Sequence, residues 1–334
     1  MSNKNANTVK KIFARSEVTV IMAAAALFLI FSMFSDSFLT AYNLFNVSRT
    51  AAIYIFIALG QAMVVIVGGM NLSLGQIGGL TVVISGYCMH MLGLPPIVAV
   101  IAGISVGLVT GFVNGFVMTK LKLNSFVVTL ATSFVFTGLI NGISKGFPYT
   151  NIPKSFTIIG RKGFAGVPLL LWLAILTLII IGYIFKYTVI GRKLLATGGN
   201  IEAAKMSAIN TDTTIIIANM ASGFFASTAG LLWISRTGSA QPSTGGDWMV
   251  ISFAVAVIGG TALKGGVINA IGILFSSFLI VMVKNGLVMV NANIYFEQTY
   301  LGLILLLAVS LDSIKTIMEC AKAKRELKTI QCNC

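Results

Sequence analysis

From Thr50 to Thr119 the chain carries no Lys, Arg, Asp or Glu. Such a run cannot clothe a water-soluble domain, in which roughly a quarter of residues are charged. It holds instead several segments of about 20 apolar residues, the length that crosses a bilayer as a helix. The composition extends this to the whole chain, with 57% of its 334 residues hydrophobic and 10% charged, and a mean hydropathy of +0.94. The expected fold is therefore all-α and polytopic, because in lipid each segment must satisfy its own backbone hydrogen bonds.

About ten crossings of bilayer length are expected, near residues 18–35, 51–68, 76–92, 97–118, 125–143, 167–186, 214–233, 248–263, 267–289 and 299–314. With the N-terminus inside, the inner basic residues are Lys4, Lys10, Lys11, Arg15, Lys120, Lys122, Lys186, Arg192, Lys193, Lys205, Lys264, Lys315, Lys322, Lys324, Arg325 and Lys328. The outer ones are Arg49, Lys145, Lys154, Arg161, Lys162 and Arg236, and Lys284 stands within a crossing. This asymmetry puts both termini in the cytoplasm. It also explains the net charge of +14 without nucleic acid. All six prolines fall in or beside the outer loops, where they break no helix.

The domain reading follows: a cytoplasmic segment 1–17, a transmembrane region 18–314 with an inner loop at 187–213, and a cytoplasmic tail 315–334. The basic N-terminus before an apolar run resembles a signal peptide, but the long run and the later crossings mark an uncleaved first helix. Cys88, Cys320, Cys332 and Cys334 form no spaced metal or disulfide framework.

Catalytic chemistry is thin. One histidine, His90, excludes a histidine metal site, and the Gly-Ile-Ser-Val-Gly match at 103–107 has no partners for a triad. Those glycines belong to another pattern, because Gly103, Gly107, Gly111 and Gly115 line one helix face where a neighbouring helix can approach closely. No Gly-Lys dipeptide occurs, so the chain has no phosphate-binding P-loop. ATP-driven work requires another subunit.

Polar residues inside crossings mark a pathway or interhelical bonds. Gln61, Asn71, Ser73, Asn114 and Asn285 are the candidates for a pathway, with Asn141, Asn219 and Asn269 nearby in kind. Two glycine-rich stretches, VGGMNLSLGQIGG at 67–79 and IGGTALKGGVI at 258–268, resemble each other and are expected at helix breaks or close packing. In the inner loop, Asn200 is placed to cap a short helix from Ile201 to Ser207, with Ala203, Ala204, Met206 and Ile209 as its apolar face.

The segment GGNIEAAKMSAI at 198–209 resembles the coupling loop of permeases from the ribose and simple-sugar family of ATP-binding-cassette importers, Gly-x-Asn-x-x-Ala-Ala-x-x-Ser-Gly-Ile. Ala208 stands where that pattern has glycine. The two glycine stretches are similar to the same family's Gly-Gly-x-Asp-Leu-Ser-Val-Gly and Ile-Gly-Gly-Thr-Ser-Leu-x-Gly-Gly motifs, with Asn71 in place of the common Asp.

The resemblance implies the permease fold of a sugar importer, no cofactor in this chain, and ATP and Mg bound by a partner ATPase. It implies a homodimer and an extracytoplasmic sugar-binding protein. Gly199, Asn200, Glu202, Ala203, Ala204, Lys205 and Ser207 are the expected coupling residues, and Arg49, Lys145, Arg161 and Arg236 the expected docking residues for the binding protein. Permeases for nucleosides or branched-chain amino acids are the alternative within the class. A secondary carrier is the alternative outside it, but its mark would be carboxylates within crossings, and the expected crossings hold none away from their ends.

Overall fold

Proline opens three of the helices and asparagine another three, and the two groups sit at opposite ends of a helical bundle. The computed structural model describes residues 16–289 and, beyond them, 293, 296, 298–300, 302–303 and 306. Its helices are α1 (Ser16–Phe34), α2 (Ala41–Val65), α3 (Leu74–His90), α4 (Pro96–Lys120), α5 (Ser125–Ser144), α6 (Lys154–Arg161), α7 (Leu169–Tyr187), α8 (Val189–Gly199), α9 (Ile201–Met206), α10 (Thr211–Thr237), α11 (Trp248–Ile258) and α12 (Ala270–Met289). Two short antiparallel strands, β1 (Gly163–Phe164) and β2 (Val167–Pro168), lie between α6 and α7.

Pro95, Pro153 and Pro168 precede α4, α6 and α7, where a fixed φ is already suited to a first turn. Asn124, Asn200 and Asn210 cap α5, α9 and α10, each accepting from a first-turn N–H. We refer to the α6 end and the α9 end accordingly. The α2 helix starts well before residue 51, at Ala41, because the Thr40 hydroxyl accepts from Asn43 N at 3.3 Å.

Among the described residues, six helices are long and apolar enough to cross a membrane: α2, α4, α5, α7, α10 and α12. They differ in what surrounds them. The apolar window of α2 is 83% buried in protein and that of α5 only 22%, so α2 is a central post and α5 turns most of its surface outward. α4 and α10 meet along the glycine face read from the sequence. A methyl at Gly107 would overlap the Gly223 carbonyl, one at Gly111 the Asn219 carbonyl, and one at Gly115 would lie 2.7 Å from Ile216 Cα.

One expected crossing is corrected. The segment 248–263 yields only the eleven residues of α11, which at about 1.5 Å each cover roughly half of a hydrocarbon core. Gly259 ends it, and Gly260 follows at φ 84°. α6 was not foreseen at all; it lies across the end of α10, where Gly160 N donates to Ser235 Oγ at 2.8 Å and Ser235 Oγ to Phe156 O at 2.7 Å.

Residues 293–334 form a second unit, in which 298–300, 302–303 and 306 are helical. Most of the expected crossing 299–314, the tail 315–334 with Cys320, Cys332 and Cys334, and residues 1–15 of the N-terminal segment lie outside the described residues.

Candidate functional site: two helix breaks and a coupling loop

The first glycine stretch is a break in the helical ladder. α2 ends at Val65 and α3 starts at Leu74, and the chain between them turns at Gly68, φ 80°. Its freed backbone groups need partners in a low-dielectric interior. With its amide oriented to match donors to acceptors, Gln61 donates to Asn71 O at 3.0 Å and accepts from Asn71 N at 3.3 Å. The Asn71 side chain donates to Ser222 Oγ at 2.9 Å and accepts from Ser73 N at 3.0 Å and Ser73 Oγ at 2.8 Å. Asn114 Nδ2 then donates to Ser73 Oγ at 2.9 Å.

Gln61, Asn71, Ser73 and Asn114 are thus one network joining α2, the break, α4 and α10, and all four are fully buried. They face one another rather than open space. Asn285 sits apart, in a reciprocal pair with Asn43 at 3.0 and 2.8 Å that ties α12 to the start of α2.

A second break precedes α11. After Gly238, φ 75°, the chain turns back along α3, held by the Tyr149–Ala240 bridge, with N–H to carbonyl distances of 3.0 and 2.8 Å. The α3 glycines make room for it. Gly86 faces Ala240, Gly79 lies under the Thr244 carbonyl, Gly75 and Gly245 abut each other's carbonyls, and Gly78 lies under the Trp248 ring. The first stretch is therefore glycine-rich for two reasons, a turn of its own and a bed for the second break.

Asp247 stands at the start of α11 and pairs with Lys284 at 3.0 Å. Lys284 also donates to Tyr54 Oη at 3.1 Å, halfway along α2. The acid that counted as a helix-end residue in the sequence is thereby at depth, because its helix starts inside the bundle. The pair is only partly buried, with side-chain exposures of 19% for Lys284 and 37% for Asp247, and its mutual attraction eases the cost of holding charge there.

The loop expected to couple to an ATPase forms α8 and α9 with Asn200 between them, its Oδ1 accepting from Glu202 N and Ala203 N, both at 3.0 Å. Gly199, Asn200, Glu202, Ala203, Lys205 and Ser207 are exposed, and only Ala204 is buried. The expected apolar face is narrower than the sequence suggested, since Met206 is 90% exposed. Ala208 closes the helix at φ 57°, a left-handed conformation in which glycine carries no Cβ penalty.

Behind the loop, three backbone segments meet. Gly266 N donates to Ile66 O at 2.9 Å, and a methyl at Gly198 would overlap that same Ile66 carbonyl. Gly265 and Gly266 hold φ of 87° and 77° to make the approach. The two glycine stretches and the coupling loop therefore touch directly. Beside them a cavity of about 310 Å³ is lined by Gly68, Lys122, Ser125, Ile201, Asp212 and Asn219 among others.

The sequence matches the family described as "Branched-chain amino acid transport system / permease component" over residues 43–309. The chain belongs to this permease family. It is 34% identical to the ribose import permease protein RbsC of Bacillus subtilis over 87% of this chain and 90% of that protein. It is 30% identical to the RbsC of Haemophilus influenzae, covering 90% and 92%, and 29% identical to the xylose transport system permease protein XylH of Escherichia coli, covering 88% and 91%. No solved structure matches it.

The permease is accordingly a multi-pass inner-membrane transport subunit and not an enzyme. Its lone histidine has a structural place, with His90 Nδ1 accepting from Asn151 N at 3.1 Å at the α6 end. The expected docking residues divide in two. Lys145, the left-handed C-cap of α5, and Arg161, at the end of α6, are exposed, whereas Arg49 and Arg236 are half-buried. Tyr54 and Asp247 beside Lys284 went unremarked in the sequence, and Gly198, Gly265 and Gly266, read there within their motifs, were not tied to one junction. Lys284 was the available signal, because an intramembrane cation calls for a partner.

Proposed function

We propose that the permease serves an ATP-driven importer of a monosaccharide, working as a homodimer. A separate ATPase binds at the α9 end, in the cytoplasm, and an extracytoplasmic sugar-binding protein at the α6 end, where Lys145 and Arg161 offer charges for docking. The ribose and xylose relatives favour sugar over the amino acids in the family's description. The observation that carries the reading is the contact of Gly198 with Ile66 and Gly266, because it links the coupling loop to the first helix break and to the second glycine stretch.

The exposed face of α9, from Glu202 to Ser207, is the surface for the ATPase. Its displacement moves Gly198, and rigid contact passes that movement to Ile66 and Gly266. The network of Gln61, Asn71, Ser73 and Asn114 keeps the first break in shape beside the translocation path, and Asn285 braces α12. The test is uptake of radiolabelled monosaccharides, ribose among them, into proteoliposomes holding this chain alone, then with its ATPase and binding protein, each with and without ATP. Uptake only with both partners and ATP is expected; uptake by the chain alone would make it a carrier or channel.

A further inference from the structure

Among the described residues, three guanidinium groups gather at the α6 end with no carboxylate paired to them. Arg161 Nη2 donates to Thr237 O at 3.3 Å, beside Arg236. Arg49 lies over the Phe45 ring at 5.1 Å, and that ring packs against Gly163, two residues beyond Arg161. Arg49 is within electrostatic range of both Arg161 and Arg236, and Arg236 of Tyr54. Tyr54 accepts from Lys284, which pairs with Asp247. Basic groups thus descend from Arg161 at the end of the bundle, through Arg49 and Arg236, to Lys284 in its interior.

Among the described residues, Lys284 and Asp247 form the only ion pair. The arginines are steadied by other means, Arg49 by Asn46 Oδ1 and Phe45, and Arg236 by the Trp233 ring at 5.6 Å. Arg49 Nε and Arg236 Nη1 are buried and have no acceptor. Like charges held together with donors unused are unfavourable unless an anion completes them. Planar guanidinium forks match carboxylate and phosphate oxygens.

The anion has two possible sources, a solute or a carboxylate on a docked protein, and depth decides between them. Arg49 lies eight residues past Ala41, about 12 Å along the α2 axis at 1.5 Å per residue. Arg236 is close enough to interact electrostatically with Tyr54, thirteen residues past Ala41. A docked protein rests on the loops; a small solute reaches these groups and the partly exposed pair below them. A neutral sugar would leave the guanidinium groups uncompensated.

Building on the sugar-permease reading, we infer that the solute is a sugar bearing an anionic group, a sugar acid or sugar phosphate. Arg49 and Arg236 receive the anion on entry, and Lys284 with Asp247 forms the next polar station.

The experiment uses the full-length permease in nanodiscs, with the fluorescence of Trp233 beneath Arg236 as the reporter and Trp233→Phe as the control. Ribonate, ribose 5-phosphate, inorganic phosphate and ribose are titrated. The anions should change the signal saturably and ribose should not. Arg236→Gln should weaken ribonate binding by about tenfold or more, the loss of a charge-assisted bond, and Arg236→Lys should weaken it less, which separates lost charge from misfolding. Equal responses to ribose and ribonate, or an Arg236→Gln variant that binds ribonate normally, would overturn the inference. So would a variant that binds ribonate normally but loses salt-sensitive association with the binding protein, which would assign the arginines to docking. ATP-driven uptake of ribose but not of ribonate would also overturn the inference, while leaving the permease reading standing.

Discussion

At the α9 end, Ile66, Gly198 and Gly266 meet backbone to backbone with no side chain between them. At the α6 end, Arg49, Arg161 and Arg236 are positioned by aromatic rings, an amide and a carbonyl. The first arrangement has no slack, since any added atom collides with main chain. The second is adjustable, since long side chains can re-aim. A part that passes on a displacement needs the former, and a part that meets a mobile charged group needs the latter.

Gly198→Val is the severest way to break this contrast. It should lower stability by about 3 kcal/mol or more through overpacking against main chain and abolish ATP-dependent uptake, whereas Gly182→Ala, whose new methyl meets nothing within 4 Å, should change neither. Thermal unfolding in detergent and uptake assays report the two effects. A tolerated Gly198→Val would mean that the junction has slack after all.

Ala204→Glu separates the loop's two duties. Its side chain is 3% exposed at the root of α9, and the charge should abolish transport and ATPase association while membrane insertion, read by protease accessibility, stays normal. Normal uptake would remove α9 from the coupling surface.

A double-mutant cycle sharpens the other end. Asp247→Asn alone should cost about 1–2 kcal/mol, less than a fully buried pair because both groups are partly exposed. Adding Lys284→Met should recover most of that loss; additive single effects in chemical unfolding would show that the pair is not coupled.

The smallest effect is a gain. Ala208→Gly should stabilise the end of α9 by about 1 kcal/mol, by relieving a left-handed Cβ. An unchanged unfolding midpoint would mean that the loop end frays in solution.

Six of the expected crossings were legible because apolar runs of bilayer length have few other uses, and the α4 glycine face because its spacing is helical. Asn200 was legible as a cap for the same local reason. What stayed hidden was long-range. The sequence places Asp247 at a helix end, and nothing near it reveals that its helix begins beside the middle of α2. The two glycine stretches resemble each other on paper, but only folding brings Gly266 to Ile66. Gln61, Asn71, Ser73 and Asn114 could be marked as polar residues in an apolar run, yet their common network depends on three helices converging on one break.

The seam between α4 and α10 carries a consequence for heredity. A methyl at Gly107, Gly111 or Gly223 would strike main chain, while one at Gly138, Gly142 or Gly182 would meet nothing within 4 Å. Under selection for transport, a library of random codons should leave the first three positions nearly invariant and let the second three drift. The glycines of this chain then sort into two classes by their mutational record, and that record would trace the line where its helices lie closest together.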